Sequence, residues 1–378
     1  MILLLLLLAV DSVENGIKPK QALNLSLVKE LTLGDDEQDE NQLFTNGSVV
    51  AADPQGTMYV LDPGNFRIVV FSKEGTFQRR FGAQGQGPGE FQQPSRISIS
   101  PENEIYISDP MSKKFVIFKA DGTLSREIPF EQGIVAVFGQ LGFLKGGNLL
   151  LGTVKLNANF QSTYDLSLYD AEMKVLKIIY SLPQPPTDWS QAQNEETWID
   201  FLKNQFEAVG KGVPLGITIG NDRFAAVRTD LYQGTLYNPA GEELVHFKKD
   251  YKRMPLTPEA RSIFFESMWD GMKASPFLAN NLTKSVFEKA CAKAEMPDHL
   301  SPISILFPIG EHFATISNYK IDQGRGMLEL FDRGGHFLGS CVYEGNLLYN
   351  TGAGKNLYAV GNDDDDNLVI SRYLLKGI

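Results

Sequence analysis

Residues 59–81 (YVLDPGNFRIVVFSKEGTFQRRF) and 106–128 (YISDPMSKKFVIFKADGTLSREI) align without a gap at an offset of 47. Identical in both are Tyr59/Tyr106, Asp62/Asp109, Pro63/Pro110, Val69/Val116, Phe71/Phe118, Gly75/Gly122, Thr76/Thr123 and Arg79/Arg126. Most other positions exchange like for like. Self-similarity at a fixed spacing marks a repeat architecture, in which one unit cannot bury its apolar face alone.

Each unit predicts four short strands. In the first they are 49–52, 58–61, 67–71 and 77–81, with turns at Asp53-Pro54-Gln55-Gly56 and Lys73-Glu74-Gly75. Glycine in such turns supplies positive φ without steric cost. A four-stranded unit recurring every ~40–50 residues selects an all-β propeller. The pattern continues through 142–180, 217–247 and 303–343, and ends in 347–374 without a fourth strand. Residues 26–33 (SLVKELTL) precede the first complete unit and resemble a fourth strand. The expectation is a six-bladed β-propeller closed by this N-terminal strand, because closure removes the open edges of a linear array.

The motif Asp62-x-x-Asn65-x-Arg67-Ile68, the loop Gly85-Gln86-Gly87-Pro88-Gly89-Glu90-Phe91-Gln92-Gln93-Pro94 and the stretch Phe118-x-x-Asp121-Gly122-Thr123 are suggestive together. They resemble the NHL-repeat six-bladed β-propellers of the wider TolB-like superfamily. The resemblance is carried by two blades and implies fold far more than activity, since that family spans binding modules, structural modules and lyases.

Spacing between corresponding second strands reveals two long insertions, at 181–212 and 248–302. Both join the fourth strand of one blade to the first of the next. Asn194-Glu195-Glu196 opens an apolar-periodic run through Trp198, Ile199, Phe201, Leu202 and Phe206. Thr257-Pro258-Glu259 is a helix start signal, with threonine as cap and proline at the first helical position. A further short helix fits 283–294. Fourth-to-first and second-to-third loops leave a propeller on one face, so both insertions belong around the same channel mouth. Trp189, Trp198 and Trp269 are expected to anchor these helices on the propeller.

Residues 2–10 are nine consecutive apolar residues, too few for a bilayer span of roughly 20 but the length of a secretory signal core. The domain reading is therefore a signal-like leader at 1–25 and the propeller at 26–378, with a secreted or periplasmic location. No later segment is apolar enough to be transmembrane. Lys plus Arg total 35 and Asp plus Glu 46, a net charge of −11, which argues against nucleic acid as partner. Cys291 and Cys341 form no disulfide framework and read as buried thiols. The histidines are scattered without metal-ligand spacing. Asp62 reads as a turn that bonds its own backbone, and the acidic run 363–366 as a solvated hairpin tip, rather than as metal sites. No metal, cofactor or catalytic residue is nominated.

Ligand candidates come from the insertion-bearing face. Arg96 begins the second inner strand and suits an anion. Arg228, Tyr232, Tyr319 and Lys320 fall on the same predicted face. The favoured function is a non-catalytic binding or scaffold propeller that holds a protein, peptide or glycan there. The alternative is a metal-dependent hydrolase or lyase with a site in the central channel.

Overall fold

The computed structural model describes residues 10–36, 38–157, 161–210, 212–273, 281–317, 325–344, 349–363 and 367–378. Among them two strands precede the first complete unit, β1 (Asp11–Asn15) and β2 (Ser26–Leu33). Blade 1 is β3 (Val49–Ala52), β4 (Met58–Asp62), β5 (Arg67–Phe71) and β6 (Phe77–Phe81). Blade 2 is β7 (Arg96–Ile99), β8 (Ile105–Asp109), β9 (Lys114–Phe118) and β10 (Leu124–Pro129). Blade 3 is β11 (Ile134–Phe143), β12 (Leu149–Leu156), β13 (Ser162–Tyr169) and β14 (Val175–Pro183). Blade 4 is β15 (Pro214–Ile219), β16 (Arg223–Arg228), β17 (Gln233–Tyr237) and β18 (Glu243–Lys249). Blade 5 is β19 (Ile303–Ile309), β20 (His312–Ser317), β21 (Arg325–Phe331) and β22 (Phe337–Glu344). Blade 6 is β23 (Tyr349–Ala353), β24 (Asn356–Asn362) and β25 (Leu368–Lys376), completed by β2. The fold is an all-β, six-bladed propeller.

Strand alternation explains the ring. In β3, Val49 and Ala51 face blade 2 while Val50 faces blade 6. In β4, Tyr59 and Leu61 face blade 2 while Met58 and Val60 face blade 6. Successive side chains point to opposite faces, so a sheet apolar on both faces must be sandwiched between two others. Apolar clusters of this kind straddle every adjacent pair of blades. The last junction is closed by antiparallel pairing of β2 with β25, where Val28 meets Leu374, Thr32 meets Ser371 and Leu33 meets Ile370.

The Asp62 motif works as a turn lock. The buried Asp62 carboxylate accepts from Thr45 N at 3.1 Å, Asn65 Nδ2 at 2.8 Å and Arg67 Nε at 2.9 Å. Its counterpart Asp109 accepts from Gln92 N at 2.7 Å, Gln93 N at 2.9 Å and Ser112 Oγ at 2.8 Å. Ser112 thus replaces Asn65, so a degraded motif keeps the same backbone-satisfying role. In the run 363–366, residues 364–366 lie outside the described residues, and Asp363 Oδ1 accepts from Asn367 N at 2.8 Å.

Three differences from the sequence reading have physical causes. The leader segment contains β1, which pairs parallel with β18 from Asp11 opposite Val245 to Asn15 opposite Lys249. Asn15 then bridges to blade 5, donating to the Gly335 carbonyl at 2.9 Å and accepting from Phe337 N at 2.8 Å. The inner strand of blade 3 begins at Ile134, not near Gly142, because a bulge interrupts its alternation between Phe138 and Gly142. The described inner strand of blade 6 is Tyr349–Ala353, which includes Tyr349 of the expected 347–349; residues 347 and 348 lie outside the described residues.

The insertions are helical where expected: α1 (Glu195–Gly210), α2 (Pro258–Lys273) and α3 (Lys284–Lys293). Thr257 Oγ1 accepts from Ala260 N at 3.2 Å, and Thr283 Oγ1 from Val286 N at 3.3 Å, so both threonines cap. Trp198, Leu202 and Phe206 pack against Phe265, Phe287 and Ala290, uniting the two insertions around one apolar core. Trp189 meets Trp198 at 5.1 Å and Trp269 meets Phe287 at 5.1 Å between ring centroids. The tryptophans therefore pack within the helical layer, and hydrogen bonds tie the insertions to the blades. Tyr164 of β13 donates to Gln205 Oε1 at 2.6 Å, and Tyr251 donates to the Asp230 carbonyl at 3.2 Å. No helix among the described residues is long and apolar enough to cross a membrane. Cys291 and Cys341 are unpaired thiols.

Leu33 is 2% exposed at the closing junction and Leu43 is 48% exposed. Leu33→Ala is expected to cost about 2–5 kcal/mol and Leu43→Ala under about 0.5 kcal/mol in urea unfolding. Equal effects would mean that closure carries no stability. Burial pushes both thiols up to about 11 from 9.0. A raised thiol pKa adds stability below pH 9, lost as pH rises through 11 because the unfolded chain ionises first. Cys341 is buried and Cys291 half-buried, so iodoacetamide at pH 8 should modify Cys341 much faster in the denatured chain than in the native one, and equal rates there would contradict its burial.

Candidate functional site

The inner strands begin at the end of the propeller where the second-to-third turns lie. Arg96 opens β7 and pairs with Ser108, near the end of β8. Leu215 and Gly216 near the start of β15 pair with Val227 and Ala226 near the end of β16. Tyr164 and Asp230, which hold the helical layer, lie at this same end in β13 and the β16–β17 turn. At this mouth a cavity of about 250 Å³ is lined by strands of blades 2, 3, 4 and 5.

Its wall is mostly apolar, with Phe138, Leu166, Ile217 and Leu306 among the contributors. Two glycines shape it. A Cβ on Gly152 would sit 2.4 Å from the Phe138 ring, and one on Gly216 would sit 2.5 Å from Leu166. Both large side chains therefore lie over neighbouring strands that only glycine leaves bare. The polar lining comes from Arg96, Gln140 and Ser304. Gln140 sits in the blade 3 bulge, beside Gly139 with φ +72°. Ser304 sits in a second bulge, between Ile303 and Ile305 of β19. A bulge gives one strand an extra residue and re-aims a side chain, so both bulges deliver polar groups to one mouth.

Arg96 is the charged member of the lining. Its Nη1 donates to the Ser95 carbonyl at 2.8 Å, while its buried Nε has no hydrogen-bond partner. Among the described residues no carboxylate reaches ion-pair distance of it. Arg67, Arg126, Arg228, Arg333 and Arg372 each meet an acidic side chain within 4 Å, whereas Arg79, Arg223 and Arg261, like Arg96, bond to backbone carbonyls.

The other sequence candidates do not gather there. Arg228 lines a larger groove of about 440 Å³ between blades 3 and 4, with Tyr180, Thr235, His246 and Lys248. Its cations are already neutralised. Arg228 forks onto Asp230 at 3.2 and 2.8 Å, which raises its pKa, and Lys248 pairs with Glu14 at 2.9 Å. Tyr319 and Lys320 lie outside the described residues.

Tyr232 is fully buried at φ +47°, so its side chain is closed to a ligand on the surface. Its hydroxyl donates to Glu329 Oε2 at 2.5 Å and lies 2.7 Å from Thr315 Oγ1, both in blade 5. Lys249 completes the network, 2.9 Å from Glu329, the two side chains being 3% and 4% exposed. Tyr232 thus pins blade 4 to blade 5.

Of the sequence candidates Arg96 lines this cavity, beside Gln140 and Ser304, which the sequence reading did not nominate. The signal for Gln140 was the pair Gly139 and Gly142 inside an apolar strand, which marks a bulge. Ser304 follows Ile303 without any such mark. Among the described residues no three His, Cys, Asp or Glu side chains converge to hold a metal.

A family model described as a 6-bladed beta-propeller matches residues 38–192. No curated protein matches the sequence. A Bacteroides fragilis protein whose given name assumes export is 15% identical, with 97% of this chain and 100% of that chain covered at a TM-score of 0.50. A member of the duf4221 family from Bacteroides vulgatus is 13% identical, with 95% and 100% covered at a TM-score of 0.52. These likenesses confirm the fold. A virginiamycin B lyase from Staphylococcus aureus is 10% identical over 93% of this chain and 99% of that chain, with a TM-score of 0.43, and lends no support to any activity here.

The Lys249–Glu329 pair generates a test. Removing one partner leaves a buried charge uncompensated, so Glu329→Gln or Lys249→Met should each cost about 3–5 kcal/mol in urea unfolding. The double variant Lys249→Met/Glu329→Leu should cost less than either single change. Additive losses would mean that the two side chains act independently.

Proposed function

We propose that the protein is an exported binding propeller of the NHL-repeat type, which holds a protein, peptide or glycan partner on the face carrying its helical insertions. The supporting observation is that two insertions far apart in sequence form one layer with a shared apolar core. Closing the ring does not require such a layer, since the interblade clusters are complete without it. The layer stands at the end of the propeller where the channel mouth opens. The mouth is lined by the Arg96 guanidinium, a group that can anchor an anion.

Export is supported by the apolar run at 2–10 and by the name of the Bacteroides fragilis structural relative. The NHL assignment rests on the Asp62, Asn65 and Arg67 lock and its altered copy at Asp109.

The test is capture from the envelope and secreted fractions of the cells that make the protein. One bait is the intact chain; the other has 189–210 and 254–300 replaced by short Gly-Ser loops. The intact chain should retain a specific partner that the trimmed propeller loses while keeping its β-rich circular dichroism. Equal capture by both baits would refute the assignment of this face.

A further inference from the structure

We infer that the channel mouth is a binding site for an apolar monocarboxylate, with Arg96 receiving the carboxylate and the walls receiving the apolar body. The inference rests on the reading of this mouth as a binding face, but it needs no macromolecular partner.

Charge carries the first part of the argument. Arg96 is half-buried, and a guanidinium that lines a cavity without a counter-charge is suited to receive an anion. Arg96 keeps a buried, unpartnered Nε, and only the Ser95 carbonyl meets its Nη1. The cavity it lines contains no acidic side chain. An incoming carboxylate can take two parallel N–H bonds from one guanidinium fork. One cation balances one negative charge, so a monoanion fits better than a doubly charged phosphate.

The walls carry the second part. Phe138, Leu166, Ile217 and Leu306 give the cavity an apolar body, which would exclude a small hydrophilic anion from any gain beyond the ion pair. Gly152 and Gly216 hold the walls in place, because any larger residue would meet Phe138 or Leu166. The volume of about 250 Å³ lies below the roughly 300 Å³ at the lower bound of drug-sized sites. That size suits a short acid, or the last residue of a longer chain. The third part is the coincidence of two bulges at one mouth, which aim Gln140 and Ser304 into the same cavity. The Ser304 hydroxyl donates to the Ile316 carbonyl at 3.1 Å, so the donor that takes the carboxylate is Arg96.

The experiment is calorimetric titration of the intact protein with hexanoate and 3-phenylpropionate, against hexanamide, 3-phenylpropanamide and inorganic phosphate. Apolar pentapeptides with free and amidated C-termini form a second arm. Saturable binding of the acids, with at least tenfold weaker binding of the amides and of phosphate, is expected. Arg96→Leu should weaken acid binding at least tenfold, and Arg96→Lys should weaken it less. The thermal midpoint of Arg96→Leu should not fall, because the lost side chain has no ion-pair partner. Tighter binding of the free-ended peptide would identify a chain terminus as the source of the carboxylate, and tighter binding of the acids a small metabolite. Equal binding of acid and amide, phosphate binding as tight as the acids, unchanged binding by Arg96→Leu, or no saturable carboxylate binding at millimolar concentration would each overturn the inference. None of these outcomes bears on partner capture by the helical layer, which the trimmed bait tests separately.

Discussion

The structure depends on two-sided burial. Each blade carries apolar side chains on both faces, so no blade is stable as an isolated sheet, and each apolar cluster is completed by the next blade. Val50, Met58 and Val60 reach Leu33 and Ile370 across the final junction. Pairing of β2 with β25 therefore satisfies two demands together: it covers the last open strand edge and completes the last cluster. The parallel addition of β1 to β18 repeats the device on a smaller scale, with Asn15 stitching blade 4 to blade 5.

That constraint places the chemistry. Because the inner strands all begin at the same end, a residue early in one blade faces residues early in the others across the channel. The burial of charge follows two rules within short range. Where Lys249 and Glu329 leave water, they meet each other, the Tyr232 hydroxyl and aromatic faces, as a buried ion pair must. Half-buried Arg96, by contrast, meets a backbone carbonyl and no counter-charge among the described residues. The first arrangement is complete without a ligand and holds blades together; the second is incomplete and faces a cavity.

The ring was legible in the sequence because its determinants are local. Turn glycines, β-branched runs and the repeated Asp-Pro pairs each state their own structure, and the alternation of SLVKELTL identifies a strand without a partner in its own unit. Helix starts at Thr257 and Thr283 were legible for the same reason, through capping chemistry. What escaped depended on distant partners or broken periodicity. The pairing of Asp11 with Val245 joins segments with no shared pattern. The strand from Ile134 loses its alternation at Gly139, so its beginning reads as connector. Tyr232 looks like a loop aromatic until Glu329, nearly a hundred residues later, is brought against its hydroxyl. The candidate site shows the same division: Arg96 follows from strand position, whereas Gln140 and Ser304 reach the channel through bulges that alternation alone does not forecast.

The helical layer has one more implication. Its tryptophans and phenylalanines pack among themselves, and hydrogen bonds such as Tyr164 to Gln205 help attach it to the blades. A lid with an internal core of its own can change its outward-facing residues without disturbing the toroid beneath. Related chains could then share the ring and differ in the outer surface of this layer without any change in how the blades close.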